Sequence, residues 1–143
     1  MATTISGSTG INTQGIVSDD TITANGTIQD TQGNIRALER NVISSTPYNF
    51  PAASSGKYFV CNVSSLTINI DGADISLGDI FTIWNFPGFG DVTISWTNMT
   101  NGVYIAGDTN NKGTSGSIAL APAGLCTVLC DTGSRMVISG NVS

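Results

Sequence analysis

The sequence has 143 residues, 40% hydrophobic and only 10% charged, with a formal net charge of −5 and no histidine. That length suits one domain of ordinary size, which buries about two-thirds of its unfolded surface. The five basic residues, Arg36, Arg40, Lys57, Lys112 and Arg135, are scattered, which with the negative charge argues against nucleic acid as a partner.

No run approaches the ~20 apolar residues of a membrane span. Met1-Ala2-Thr3-Thr4 lacks the basic start and apolar core of a signal peptide, which predicts synthesis in a cytoplasm. Cys126 and Cys130 lie four residues apart on one expected strand, about 13 Å at ~3.3 Å per residue. A disulfide tolerates a Cα separation of only about 7 Å. Cys61, Cys126 and Cys130 therefore read as small buried hydrophobes, and no metal site or cofactor is expected.

Residues 1–33 read as an extended arm. Thr, Ser, Gly, Asn and Asp separate single apolar residues at Ile5, Ile11, Ile16, Val17, Ile22 and Ile28. Asn25-Gly26 suggests a small hairpin, and isolated hairpins are marginal in water. No aromatic residue precedes Tyr48, so the arm needs a partner or sister chains to order it. Residues 34–46 form a connector with room for one or two helical turns, since Ile35, Leu38 and Val42 share a helical face.

Residues 47–143 read as a β-rich knob. Strands are expected at 58–62, 66–70, 80–85, 92–96, 103–106, 117–121, 125–130 and 136–139. Alternation is clean where Leu66, Ile68 and Ile70 oppose Thr67 and Asn69, and where Val92, Ile94 and Trp96 oppose Thr93 and Ser95. With turn clusters at Asp71-Gly72, Pro87-Gly88, Asn101-Gly102 and Thr132-Gly133, the pattern predicts an all-β fold, a small β-sandwich or jelly roll.

Catalysis without histidine would rest on carboxylates. Asp71 with Asp74, or Asp79 with Asp91, are the candidate pairs, but each stands beside Gly or at a strand entry, where Asp commonly bonds its own backbone. Asp108-Thr109-Asn110-Asn111-Lys112-Gly113 imitates a calcium loop, then places Lys112 at the fifth position and Ala119 at the twelfth. These residues read as turn and loop formers. Trp84, Phe86, Phe89, Trp96 and Tyr104 could build an aromatic contact surface. Trp84 and Trp96 lie within apolar alternation and read as core or subunit interface. Phe86 and Phe89 stand in a Gly/Pro turn that one chain cannot easily bury, so with Tyr104 they are the candidate contact residues, for protein first and for glycan second.

Gly33-Asn34-Ile35-Arg36, Gly56-Lys57, Gly78-Asp79-Ile80-Phe81-Thr82-Ile83-Trp84-Asn85, Asp91-Val92-Thr93-Ile94, Ala106-Gly107, Gly124-Leu125-Cys126-Thr127-Val128-Leu129-Cys130 and Val137-Ile138-Ser139-Gly140 occur in that order. As an ordered set they resemble the C-terminal domain of small tailed-bacteriophage virion proteins of the tail-fibre and head-fibre type. The likeness spans residues 33–143. Two departures stand out: Glu39 where the related domains usually carry Pro, and Gly116-Ser117-Ile118 where they often carry an Arg.

The resemblance implies a non-enzymatic virion component assembled in a bacterial cytoplasm, commonly a homotrimer. A short arm and a single knob, without a long shaft, suit a capsid decoration protein bound to the major capsid protein or another virion protein. Ile5, Ile11, Ile16, Val17, Ile22 and Ile28 are the expected anchoring residues. The alternative is a short tail-fibre or adaptor protein that binds a host surface glycan.

Overall fold

The computed structural model describes residues 29–30, 33–34, 38–52, 54–132 and 134–143. The Asn25-Gly26 turn and the six apolar residues expected to anchor the arm lie outside the described residues.

Among the described residues there are strands and no helix. Two residues of β1 (Gln29–Asp30) pair antiparallel with β2 (Gly33–Asn34). Then follow β3 (Glu39–Ile43), β4 (Tyr48–Asn49), β5 (Lys57–Cys61), β6 (Thr67–Asp71), β7 (Ile80–Asn85) and β8 (Val92–Thr97). The chain ends with β9 (Gly102–Ile105), β10 (Gly116–Leu120), β11 (Leu125–Thr132) and β12 (Arg135–Gly140). All eight strands expected from alternation are present, with ends within two residues of the expected ones.

One expectation is overturned. The helical spacing of Ile35, Leu38 and Val42 does not mark a helix at 39–43, because those residues form β3, hydrogen-bonded in parallel to β5. Only Ile43 of β3 is fully buried, while Leu38 and Val42 stay exposed, so the spacing has no buried face to serve. Glu39–Ile43 is thereby the edge strand of a sheet that also holds β5.

The strands form a six-stranded sheet in the order β3-β5-β7-β11-β12-β9 and a four-stranded sheet in the order β10-β8-β6-β4. From β3 to β11 the chain changes sheet at every step. As a result β3, β5 and β7 are parallel neighbours in one sheet, and β4, β6 and β8 are parallel neighbours in the other. Three winds stack in this way, before β10 and β11 close the two sheets antiparallel against β8 and β7. The sandwich is thus wound in parallel rather than built from the antiparallel Greek keys of a jelly roll.

The inward residues of both sheets make one core. Phe59, Phe81, Ile83, Cys126, Val128, Met136 and Ile138 come from the six-stranded sheet, and Ile68, Ile70, Val92, Ile94 and Trp96 from the four-stranded one. Phe50, just past β4, lies 4.4 Å from the Phe59 ring centroid and 4.3 Å from that of Phe81, joining consecutive winds. Gly140 occupies a point where a Cβ would run into the Leu125 carbonyl, so the end of β12 can lie close to β11 only with glycine there. Gly116 likewise lets the Trp96 ring lie against the backbone of β10.

Trp96 is almost wholly buried, and its indole N–H has no partner. Trp96→Ala should cost about 3–5 kcal/mol in chemical denaturation. Trp96→Phe should cost less, because it removes an unpaired buried donor along with the lost volume. Equal losses in the two variants would contradict this account of the site.

The titrating groups define a pH profile. A backbone N–H from Ala73 holds the Asp71 carboxyl below its ordinary range, and side-chain bonds from Lys112 and Arg135 do the same for Asp108 and Asp131. Groups lowered in the folded state contribute stability above their unfolded pKa, and it is lost as pH falls. Burial pushes the Cys61 and Cys126 thiols up to about 12, which gives a contribution that is whole below the unfolded thiol pKa and is lost as pH rises from there through the folded value. The melting temperature should therefore be flat between about pH 5 and 8, fall below about pH 4, and fall again above about pH 9. A step near pH 6.5 would disagree with a chain that has no histidine.

Candidate functional site: the outer face of the six-stranded sheet

The two outer sheet faces differ in chemistry. On the four-stranded sheet the outward positions are Thr67, Asn69 and Asp71 of β6, Thr93, Ser95 and Thr97 of β8, and Ser117 and Ala119 of β10. That face can remain in water. On the six-stranded sheet, register aligns Val42, Val60, Trp84 and Leu125 in one row across four strands. A second apolar row runs through Ile80, Leu129, Val137 and Tyr104. Between them lies a polar row of Arg40, Tyr58, Thr82, Thr127 and Ser139, with the Thr82 and Thr127 hydroxyls 3.3 Å apart.

This apolar face is open to solvent. Val42, Ile80, Leu125 and Leu129 are each 39–50% exposed, far above what their type prefers. Val60, between Val42 and Trp84, is buried although it lies outside the core. Contiguous apolar surface beyond a few hundred Å² marks an interaction site on a soluble chain.

The Phe86–Gly90 turn extends the first row. Phe86 packs edge-on to Trp84 with ring centroids 5.2 Å apart, and Phe89 lies 6.4 Å from Phe86. Phe86 is 41% exposed and Phe89 half-buried. Trp84 lies on this outer face, whereas Trp96 is in the core. Tyr104 is on the same face but on edge strand β9, three strands from β7, about 14 Å away at ~4.8 Å per strand. The structure thus brings Trp84, Phe86 and Phe89 together and leaves Tyr104 apart.

Asn85 positions this turn. Alternation puts it on the inner side with Phe81 and Ile83, where it is fully buried at the end of β7. Its Nδ2 donates to the carbonyls of Gly90, Leu120 and Ala121, each at 3.0 Å. One amide therefore ties the aromatic turn to the end of β10. Sequence reasoning passed over Asn85. Its phase with Phe81 and Ile83 was the available signal that a buried amide would need backbone partners.

The carboxylates serve turns. Asp71 accepts from the Ala73 N–H at 2.9 Å, and Asp79 from the Ser76 N–H at 2.7 Å. Asp108 accepts from the Asn110 N–H at 2.8 Å and from Lys112 Nζ at 2.6 Å, so its loop is closed by its own lysine. Among the described residues no cluster of three or more His, Cys, Asp or Glu could hold a metal ion. No family model matches the chain, and no curated protein matches it at a significant level.

Replacing Phe86 and Phe89 together with Ser should leave the melting temperature within a few degrees while weakening any self-association seen by light scattering. Asn85→Ala, by contrast, should cost about 2–4 kcal/mol, since it leaves a cavity at a fully buried position and strips the buried Leu120 carbonyl and the part-buried Gly90 and Ala121 carbonyls of their donor. If the double variant unfolds and Asn85→Ala does not, the turn is part of the core and the amide is dispensable.

Proposed function

We propose that this chain is a bacteriophage virion structural protein: a homotrimeric decoration subunit of the capsid surface, attached through residues 1–33 and without enzymatic activity. The carrying observation is the open apolar face of the six-stranded sheet, set against a polar face on the other sheet. The segments that resemble phage virion proteins support the same reading, because Gly78–Asn85, Gly124–Cys130 and Val137–Gly140 supply β7, β11 and β12, three of the four inner strands of that sheet.

Energetics favours a partner of equal chemistry. The face has few charges, so attraction there comes from area rather than from ion pairs. Fully burying a large apolar side chain yields about 1.5–3 kcal/mol, and half-exposed ones yield about half of that. Association costs at least about 4 kcal/mol, so the rows must be buried together rather than one residue at a time. Three copies presenting the same face around an axis would achieve this, leaving the four-stranded sheets outward.

The test is a copy count on purified heads that lack tails. Tens to hundreds of copies per head, removed together with residues 1–33, are expected. Absence from tailless heads, or only a few trimers per virion, would overturn the capsid assignment and favour the tail-fibre alternative. Light scattering of the isolated protein should give three times the 14.7 kDa chain mass. A single-chain mass at micromolar concentration would sink the trimer.

A further inference from the structure

The outer side of the four-stranded sheet carries a second feature. A groove of about 490 Å³ opens there, lined by Asn49, Asn69, Asp71, Asp74, Ser95 and Thr97. The core residues Phe50, Ile70 and Trp96, each almost fully buried, complete the lining. The volume falls in the ~300–1,000 Å³ range of small-molecule sites. Its lining comes from three parallel-paired strands and the turn after β6, so it is positioned by the regular part of the fold.

The polar groups have fixed orientations. Asn69 Nδ2 donates to Asn49 Oδ1 at 2.9 Å, which leaves Asn69 Oδ1 as an acceptor and Asn49 Nδ2 as a donor for something else. Asp71 is held by the Ala73 N–H and by both of its oxygens accepting from Asn98 Nδ2, at 3.1 and 3.0 Å. Asn98 adopts φ of 57° to make this contact, a conformation that Asn tolerates better than most residues. The Asp74 side chain has no hydrogen-bond partner among the described residues. No lysine or arginine lines the groove.

This donor and acceptor set selects a ligand class. Two carboxylates and no cation repel anions. Asp71 is already satisfied by N–H donors, so a cation would find one uncommitted carboxylate. Ser95 Oγ already donates to the Gly116 carbonyl at 3.4 Å and Thr97 donates to Asp71, so their oxygens, Asn69 Oδ1 and Asp74 offer acceptors while Asn49 Nδ2 offers a donor, a set that a hydroxyl group can meet from either side. We propose that this groove is a binding site for a neutral saccharide, recognised by hydrogen bonds rather than by ring stacking. The inference is independent of capsid or tail location. In a trimer joined through the six-stranded sheets the groove would face outward, where several copies could engage one glycan together.

The experiment is an NMR titration of the full-length protein with maltotriose, cellotriose and chitotriose separately, with trilysine as the cationic comparator. At least one trisaccharide should give saturable shifts at the amides of Asn69, Asp71 and Thr97 by about 10 mM, the weak affinity expected without stacking. Asp74→Ala lies on an exposed turn and should weaken that binding without altering the melting temperature. Asn69→Ala should weaken it about tenfold or more. No saturation with any trisaccharide, saturation with trilysine alone, or shifts confined to the Phe86–Gly90 turn would each overturn the proposal. Light scattering on the same samples reports the oligomer separately, so a monomer that binds sugar and a trimer that does not are distinguishable.

Discussion

Parallel neighbours cannot be joined by a tight turn, because the chain must return to the end from which it started. In α/β proteins a helix covers that distance. Here a strand of the opposite sheet does, so every pass through the six-stranded sheet between β3 and β7 is followed by a pass through the four-stranded one. The two sheets are held at core distance by the same covalent path that builds them. Phe50, between β4 and β5, shows the result, since its ring touches those of Phe59 and Phe81 from the following two winds.

This winding separates the duties of the side chains. Inward residues are shared by both sheets and are almost all apolar, so they leave little freedom for function. Outward residues of one sheet have no contact with those of the other and can differ completely in chemistry. Hence a dry face with rows of Val, Trp, Leu, Ile and Tyr can coexist with a face of Thr, Asn, Ser and Asp. Asn85 is the point where the two regimes meet. It takes an inward position yet uses it to hold the outward aromatic turn.

Local alternation made the β-rich class and eight strands legible, because a half-buried strand writes its burial directly into the order of residues. Glu39–Ile43 was illegible for the same reason. Only Ile43 of that strand is fully buried, and the apolar residues near it fall at helical spacing. Parallel pairing was also beyond local reading, since alternation tells which way a side chain faces and not which strand lies beside it. That explains why Phe86 and Phe89 could be picked from their Gly/Pro turn, whereas the distance of Tyr104 from them could not. The groove residues Asn49, Asn69 and Ser95 each look like ordinary strand polars. Only the in-register stacking of β4, β6 and β8 gathers them.

A surface with so few charges cannot rely on ion pairs to orient an association. The ion pairs among the described residues, Glu39–Lys57, Asp108–Lys112 and Asp131–Arg135, are each made within the chain, and such pairs add little stability on their own. Orientation must then come from the pattern on the six-stranded face. Two apolar rows flank a polar row, and sliding a partner by one row would set Thr82 and Thr127 against Trp84 or Leu129 and leave the one hydroxyl proton that their mutual hydrogen bond does not use without an acceptor. Burying an unpaired hydroxyl costs about 1–3 kcal/mol, comparable to what one more buried apolar side chain returns. In the assembly proposed above, the polar row would penalise wrong registers while the apolar rows supply the attraction, so that a chain with few charges would gain a defined mode of association.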